Sequence, residues 1–275
     1  FLMVAGMTIA NLAGVPLASF LAWAVSWRAA FAIAAAAALI TFAAIRITVP
    51  KVPALPDSGF AAQFRFLRSL EPWLVLGAIG LGNGGFFAYY SYVNPVMEHV
   101  AAVPASMMSV VITLAGAGMV LGNLFCAKIS SSFSDESLAA AAGQGVLLLS
   151  LASVFFLAHW SPAAIALTTL AAGCVFFISG PEQVLMIRNA KEGQLLAASL
   201  AQVSFNAGNA VGAWLGGLPI DAGKAANWAA MPGFFLALAG FGLLFVNWLI
   251  HRVREEERTA GRIAALKDQI QSKAP

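Results

Sequence analysis

Eight apolar runs, each about the length needed to cross a bilayer, dominate this chain. They fall at roughly 1–22, 27–46, 72–97, 105–128, 137–158, 162–188, 195–220 and 226–251. A segment in hydrocarbon must satisfy its own backbone N–H and C=O groups, so each run is expected as a helix. The breaks between runs carry turn residues. Trp23, Trp27 and Arg28 flank the first, Glu71-Pro72-Trp73 opens the third run, and Pro104, Ser161-Pro162 and Asp221-Ala222-Gly223 mark others. Trp160 and Trp248 fall near run ends, where an aromatic belt places them. The chain is 60% hydrophobic and 10% charged, against roughly a quarter charged for a soluble domain. The expected fold is an all-α polytopic membrane protein in a lipid bilayer.

Basic residues orient it. Segments 46–71, 128–136, 188–194 and the tail after 251 hold thirteen Lys and Arg, and the other side holds only Arg28 and Lys224. The positive-inside rule makes the first set cytoplasmic, together with the C-terminus. The run from Phe1 has no n-region or cleavage site, so it does not read as a signal peptide. Residues 47–71 form the longest connection. Pro50, Pro53 and Pro56 make its first part a linker, and Phe60, Phe64 and Leu67 predict a short amphipathic helix on the membrane surface. Ile263, Leu266 and Ile270 predict a second surface helix or a partly ordered tail. The linker separates residues 1–46 from a six-helix unit at 72–251, with a tail at 252–275.

The stretch Gln202–Gly217 holds Asn206 and Asn209 and the glycines 208, 212 and 216 at four-residue spacing. Such glycines line up on one helix face, where another backbone can approach closely. An offset of 198 carries Gly208 onto Ala10, Asn209 onto Asn11, Gly212 onto Gly14 and Gly216 onto Ala18. This internal repeat points to a transporter built from two related halves. The same offset implies that the complete protein has about four more spans before Phe1, at ~30 residues per span with its loop. Six plus six helices as parallel repeats is the organisation of major facilitator halves.

The motifs agree. Gly6-Met-Thr-Ile-Ala-Asn11-Leu-Ala-Gly14-Val-Pro16-Leu, followed by Trp27-Arg28-Ala-Ala-Phe31, resembles the fifth helix of the major facilitator superfamily. More closely, it resembles the arabinose-efflux and chloramphenicol-resistance branch of drug:proton antiporters. Tyr92-Val-Asn-Pro95 resembles the end of that branch's seventh helix, Gly118-Met-Val-Leu-Gly122-Asn123 its eighth, and Phe205–Gly217 its eleventh. Two positions depart from the pattern: Ala18 stands where a glycine is usual, and Lys128-Ile-Ser-Ser-Ser lacks the usual acid. The resemblance implies a bacterial cytoplasmic-membrane exporter, monomeric, that moves a small organic compound (a sugar or drug) outward in exchange for protons by alternating access. The proton gradient would be its energy source, with no cofactor.

Candidate residues fall in two groups. Gly6, Asn11, Gly14, Pro16, Gly118, Gly122, Asn206, Gly208, Asn209, Gly212 and Gly216 are expected at helix interfaces or gates. The small-residue stripes are read first as sliding faces between halves and otherwise as close packing within a bundle. Pro16 removes a backbone hydrogen bond and bends its span. Asn11 and Asn209 are read chiefly as interhelical hydrogen-bonding groups, since an unpaired amide in hydrocarbon is costly. The second group, Asn83, Phe87, Tyr90, Glu182 and Gln183, is expected to line the substrate cavity. Residues 83, 87 and 90 share a helix face. Glu182 is the one carboxylate well inside an apolar run. An acid in a span is a functional candidate by default. Three readings stand for it: proton carrier, substrate contact, or structural acid near the interface marked by Arg188, with Pro181 as a possible helix break.

Other classes are disfavoured. His99, His159 and His251 all lie at run ends, and no nucleophile–base constellation or phosphate-binding glycine loop precedes a helix. Cys126 and Cys174 fit no disulfide or metal spacing and read as packing residues. A net charge of +3 is no nucleic-acid signal. A non-transporting membrane scaffold is the alternative, but it has no need of matched stripes in two halves.

Overall fold

In the computed structural model, residues 24–48, 60–129, 135–190 and 193–272 are described, with Gly14, Leu17, Ala18 and Leu21; at 60–61, 129, 255 and 258–272 the description is of backbone alone. The long helices are α1 (Trp27–Thr48), α2 (Leu70–Tyr90), α3 (Met108–Ile129), α4 (Glu136–Leu157), α5 (Ser161–Asn189), α6 (Gln194–Asp221) and α7 (Ala230–Ser272). Gly6, Asn11 and Pro16 lie outside the described residues, as do most of the first expected span and the Pro-rich linker.

Among the described residues five segments are long and apolar enough to cross a membrane: Trp27–Thr48, Ala105–Lys128, Glu136–Leu157, Ser161–Asn189 and Ala226–Arg254. The other two expected spans are α2 and α6, of 21 and 28 residues. They are long enough, but their glycines, prolines and amides make them less apolar. Those are the residues that let them pack closely and carry polar groups inside the bundle.

Local chemistry sets the helix ends. The Asp135 carboxylate accepts from the Ser137 N–H at 2.7 Å and caps α4. Pro162 sits in the first turn of α5, where its missing N–H costs nothing. Gly223, at φ +77°, ends α6. Its N–H donates to the Ile220 carbonyl at 2.9 Å and the Lys224 N–H to Pro219 at 3.0 Å, the paired closure that needs a left-handed residue. Pro181 does not break α5, which runs unbroken to Asn189. Nor is the connection before α2 one amphipathic helix. It is a short α-turn, Phe60–Gln63, then a 3-10 turn, Arg65–Arg68. Phe66 and Leu67 fold back onto Val75, Met186 and Ala197, and the Trp73 indole donates to the Leu67 carbonyl at 2.8 Å. The tail is no separate surface helix: α7 is continuous to Ser272.

Helix α2 is the centre of the bundle. It packs on α6 and α7, and also touches α5. In turn α5 packs on α3 and α4, and α7 closes against α4. Fourteen of the 21 residues of α2 are buried, among them Glu71, Asn83 and Tyr89. Polar staples cross this core. Tyr89 and Thr168 share a 2.6 Å hydrogen bond, the Gln144 amide donates to the Ala237 carbonyl at 3.2 Å, and the Asn247 amide donates to Ser137 Oγ at 2.8 Å. Large apolar side chains such as Phe125, Leu149, Phe156 and Trp214 point outward, as lipid contact requires. No residue of α1 is buried.

Candidate functional site

The glycine stripes do their work inside this unit. A Cβ on Gly208, Gly212 or Gly216 would collide with the carbonyl of Gly80, Gly84 or Ala88, so the stripe of α6 is filled by a matching stripe of α2. Gly118 and Gly122 meet the backbone of Thr169 and Gly173 in the same way, joining α3 to α5. The sliding-face role expected first for the α6 stripe is therefore corrected: its glycines hold two helices of one bundle together. Gly14 meets nothing within 4 Å. Asn206 is exposed and donates to Gln202 of its own helix at 2.9 Å. Asn209 Oδ1 is buried without a partner, so the interhelical hydrogen bond expected of it is not made by that oxygen.

Between the two glycine-joined pairs lies a cavity of about 270 Å³. From α2 comes Ile79. Asn123 and Cys126 come from α3, and Ala201, Gln202 and Phe205 from α6. The rest of the wall is α5 from Phe176 to Ile187, including Ser179, Glu182 and Gln183. Gly180 has no side chain there because Cys126 Sγ occupies its place.

Glu182 is 2% exposed, and its Oε1 has no hydrogen-bond partner. Arg188 does not neutralise it: that guanidinium pairs with Glu136 of α4. Glu182 is thus a buried acid of the bundle interior, six residues before Arg188 on α5. Asn83, 4% exposed, donates to the Ile79 carbonyl at 2.8 Å, and its side chain also lies within hydrogen-bonding reach of the Glu182 carboxyl. Phe87 is one layer out, edge-on to the cavity-lining Phe205 with ring centroids 6.1 Å apart. Tyr90 is further away, stacked on Phe86 at 4.8 Å.

Of the five residues expected to line a cavity, Glu182 and Gln183 do so directly. Asn83 and Phe87 support that wall, and Tyr90 belongs to the aromatic core beside it. Asn123, Phe176, Gln202 and Phe205 were not predicted as lining residues. Asn123 and Gln202 carried a usable signal, since each is an amide next to a small-residue stripe.

A larger groove, about 1110 Å³, opens between α3, α4 and α5. Its polar side chains are Ser161 and Thr169, and hydrocarbon suits it without any hydrogen bond. A second polar cluster sits where α2 begins. Glu71, 7% exposed, pairs with Arg254, and His251 Nε2 lies 3.6 Å from its other oxygen. These contacts tie α2 to α7. Among the described residues no group of His, Cys, Asp and Glu could hold a metal ion.

Comparison with known proteins extends the picture. Residues 2–195 match the Major Facilitator Superfamily. The chain is 36% identical over 244 residues to the putative transporter AraJ of Escherichia coli K12, covering 89% of this chain and 62% of that protein. It is 29% identical to the inner membrane transport protein YdhP of the same strain, covering 88% and 61%. Against the purine ribonucleoside efflux pump NepI of E. coli O1:K1 it is 27% identical, covering 78% and 54%. The chain thus spans less than two thirds of the length of these relatives. They are transporters and not enzymes. With its apolar helices and glycine-joined pairs, the chain is an integral membrane protein that belongs to the major facilitator superfamily.

Proposed function

We propose that the complete protein is a secondary active transporter that exports a small organic compound in exchange for protons. It works by alternating access in a bacterial cytoplasmic membrane, with the C-terminus inside. The observation that carries this reading is the buried Glu182 carboxyl, unpartnered on one oxygen, in the wall of a cavity between four helices. A transporter needs a polar group where cargo passes, and a proton-coupled one needs an acid that can take and release a proton away from bulk water. The inside placement of α7's end rests on the thirteen-to-two bias of basic residues. Export is supported by the printed name of the efflux pump among the relatives. Both α2 and α6 cross the bilayer in this reading, and residues 1–46 belong to the partner half.

The test uses the complete protein in proteoliposomes carrying a pH gradient, with candidate sugars, nucleosides and drugs supplied one at a time. Gradient-driven flux is expected for at least one of them. Glu182→Gln should flatten the dependence of that flux on pH. If E182Q transports with an unchanged pH profile, the coupling role of Glu182 fails.

A further inference from the structure

We infer that the Glu182 cavity selects cargo bearing a positive charge: a small organic cation with one hydrogen-bonding ammonium and an apolar ring. This rests on the transporter reading and narrows it.

The argument begins with charge. An ionised carboxylate withdrawn from water is costly unless paired and hydrogen-bonded. Glu182 is 2% exposed, and Oε1 has no partner. Among the residues that line the cavity it is the only carboxylate, and none is Lys, Arg or His. The nearest guanidinium on the same helix, Arg188, is held by Glu136. Among the described residues no countercharge lines this wall. An uncharged hydroxyl in the cavity would satisfy the oxygen's lone pair and leave the charge uncompensated. An ammonium group does both.

The remaining walls fit the rest of such a molecule. Phe176 and Phe205 offer aromatic faces, which attract cations as well as rings. Ile79, Val184 and Ile187 give apolar surface, and Ser179, Gln183 and Gln202 add neutral donors and acceptors. At about 270 Å³ the cavity lies near the small end of ligand sites, which begin at roughly 300 Å³. A single-ring amine fits it. An anionic cargo is disfavoured, because it would place a like charge beside the Glu182 carboxylate.

The experiment is direct binding to the complete, detergent-solubilised protein, with no gradient imposed. The probes are radiolabelled phenethylammonium and 2-phenylethanol, which have the same ring and chain and differ only in the ammonium against the hydroxyl. Wild type should bind the ammonium roughly tenfold or more tighter, as for a hydrogen bond to a charged group. Glu182→Gln should erase that preference. Equal binding of both probes, no binding of either, or a preference that survives in E182Q would each overturn the inference. If E182Q does not fold, the wild-type comparison alone decides. A cation that binds but is not moved by a pH gradient refutes the transport reading and leaves this one standing. Gradient-driven flux of neutral cargo without cation binding does the reverse.

Discussion

Substituting Gly212 with Ala tests the glycine seam between α2 and α6. The added methyl would overlap the Gly84 carbonyl, which is backbone and cannot rotate away. A comfortable carbon–oxygen contact needs about 3.3 Å, so the two helices must part by roughly an ångström. That displacement loosens the flanking contacts of Gly208 with Gly80 and of Gly216 with Ala88 as well. Overpacking of this kind costs about 1–3 kcal/mol, and alanine's better helix propensity returns up to ~1 kcal/mol. The net loss should be about 1–2 kcal/mol, a fall in Tm of roughly 2–8 °C for a chain of this size. Gly242→Ala is the internal control. It also lies in a long helix, but nothing stands within 4 Å of its Cβ site. It should melt at or above the wild-type temperature. The assay is thermal unfolding of both variants in one detergent, followed by the loss of the monodisperse peak on size exclusion. A G212A protein that melts with G242A or above it would falsify the seam.

Three further outcomes follow from the same structure. Tyr89→Phe removes one side of the 2.6 Å bond to Thr168 and should cost about 1 kcal/mol, read as a lower melting temperature without loss of expression. Arg254→Ala leaves the largely buried Glu71 with His251 as its remaining cationic neighbour among the described residues, so it should lower the melting point more than the double variant R254A/E71Q, which removes the stranded charge. Gly223→Ala forces a side chain into left-handed backbone at φ +77° and should cost about 1 kcal/mol, measured in the same melts.

Much of the fold was legible because membrane helices write their limits in composition. Pro162 and Gly223 stand at the helix ends where they were expected, and the apolar runs match α1 and α3 to α5 within a few residues. The surface helix at Phe60–Leu67 was misread because Phe66 and Leu67 dock on the bundle, a tertiary contact that helical spacing does not contain. Glu182 could be singled out because a carboxylate in an apolar run is conspicuous. Its setting could not: Phe176 and Phe205 are ordinary apolar residues until four helices bring them together. The partner of the α6 stripe was recoverable. Gly80, Gly84 and Ala88 repeat the same four-residue spacing. Their neighbours Phe86, Phe87, Tyr89 and Tyr90 mask that spacing, because aromatic side chains on the same turns suggest a cavity wall.

The two seams have a mechanical consequence. Where backbone lies on backbone there is no side chain to bend, so neither pair can adjust by small amounts. Sliding α6 by one residue along α2 would drive a methyl or an isopropyl group into a carbonyl, and the next glycine register is four residues, about 6 Å, away. So α2 with α6 forms one plank, and α3 with α5 another. The cavity occupies the gap between them, with Ile79, Gln202 and Phe205 on one edge and Asn123, Cys126 and Glu182 on the other. Its width is set by how far these two stiff pairs stand apart, and the acid belongs to the α3–α5 pair.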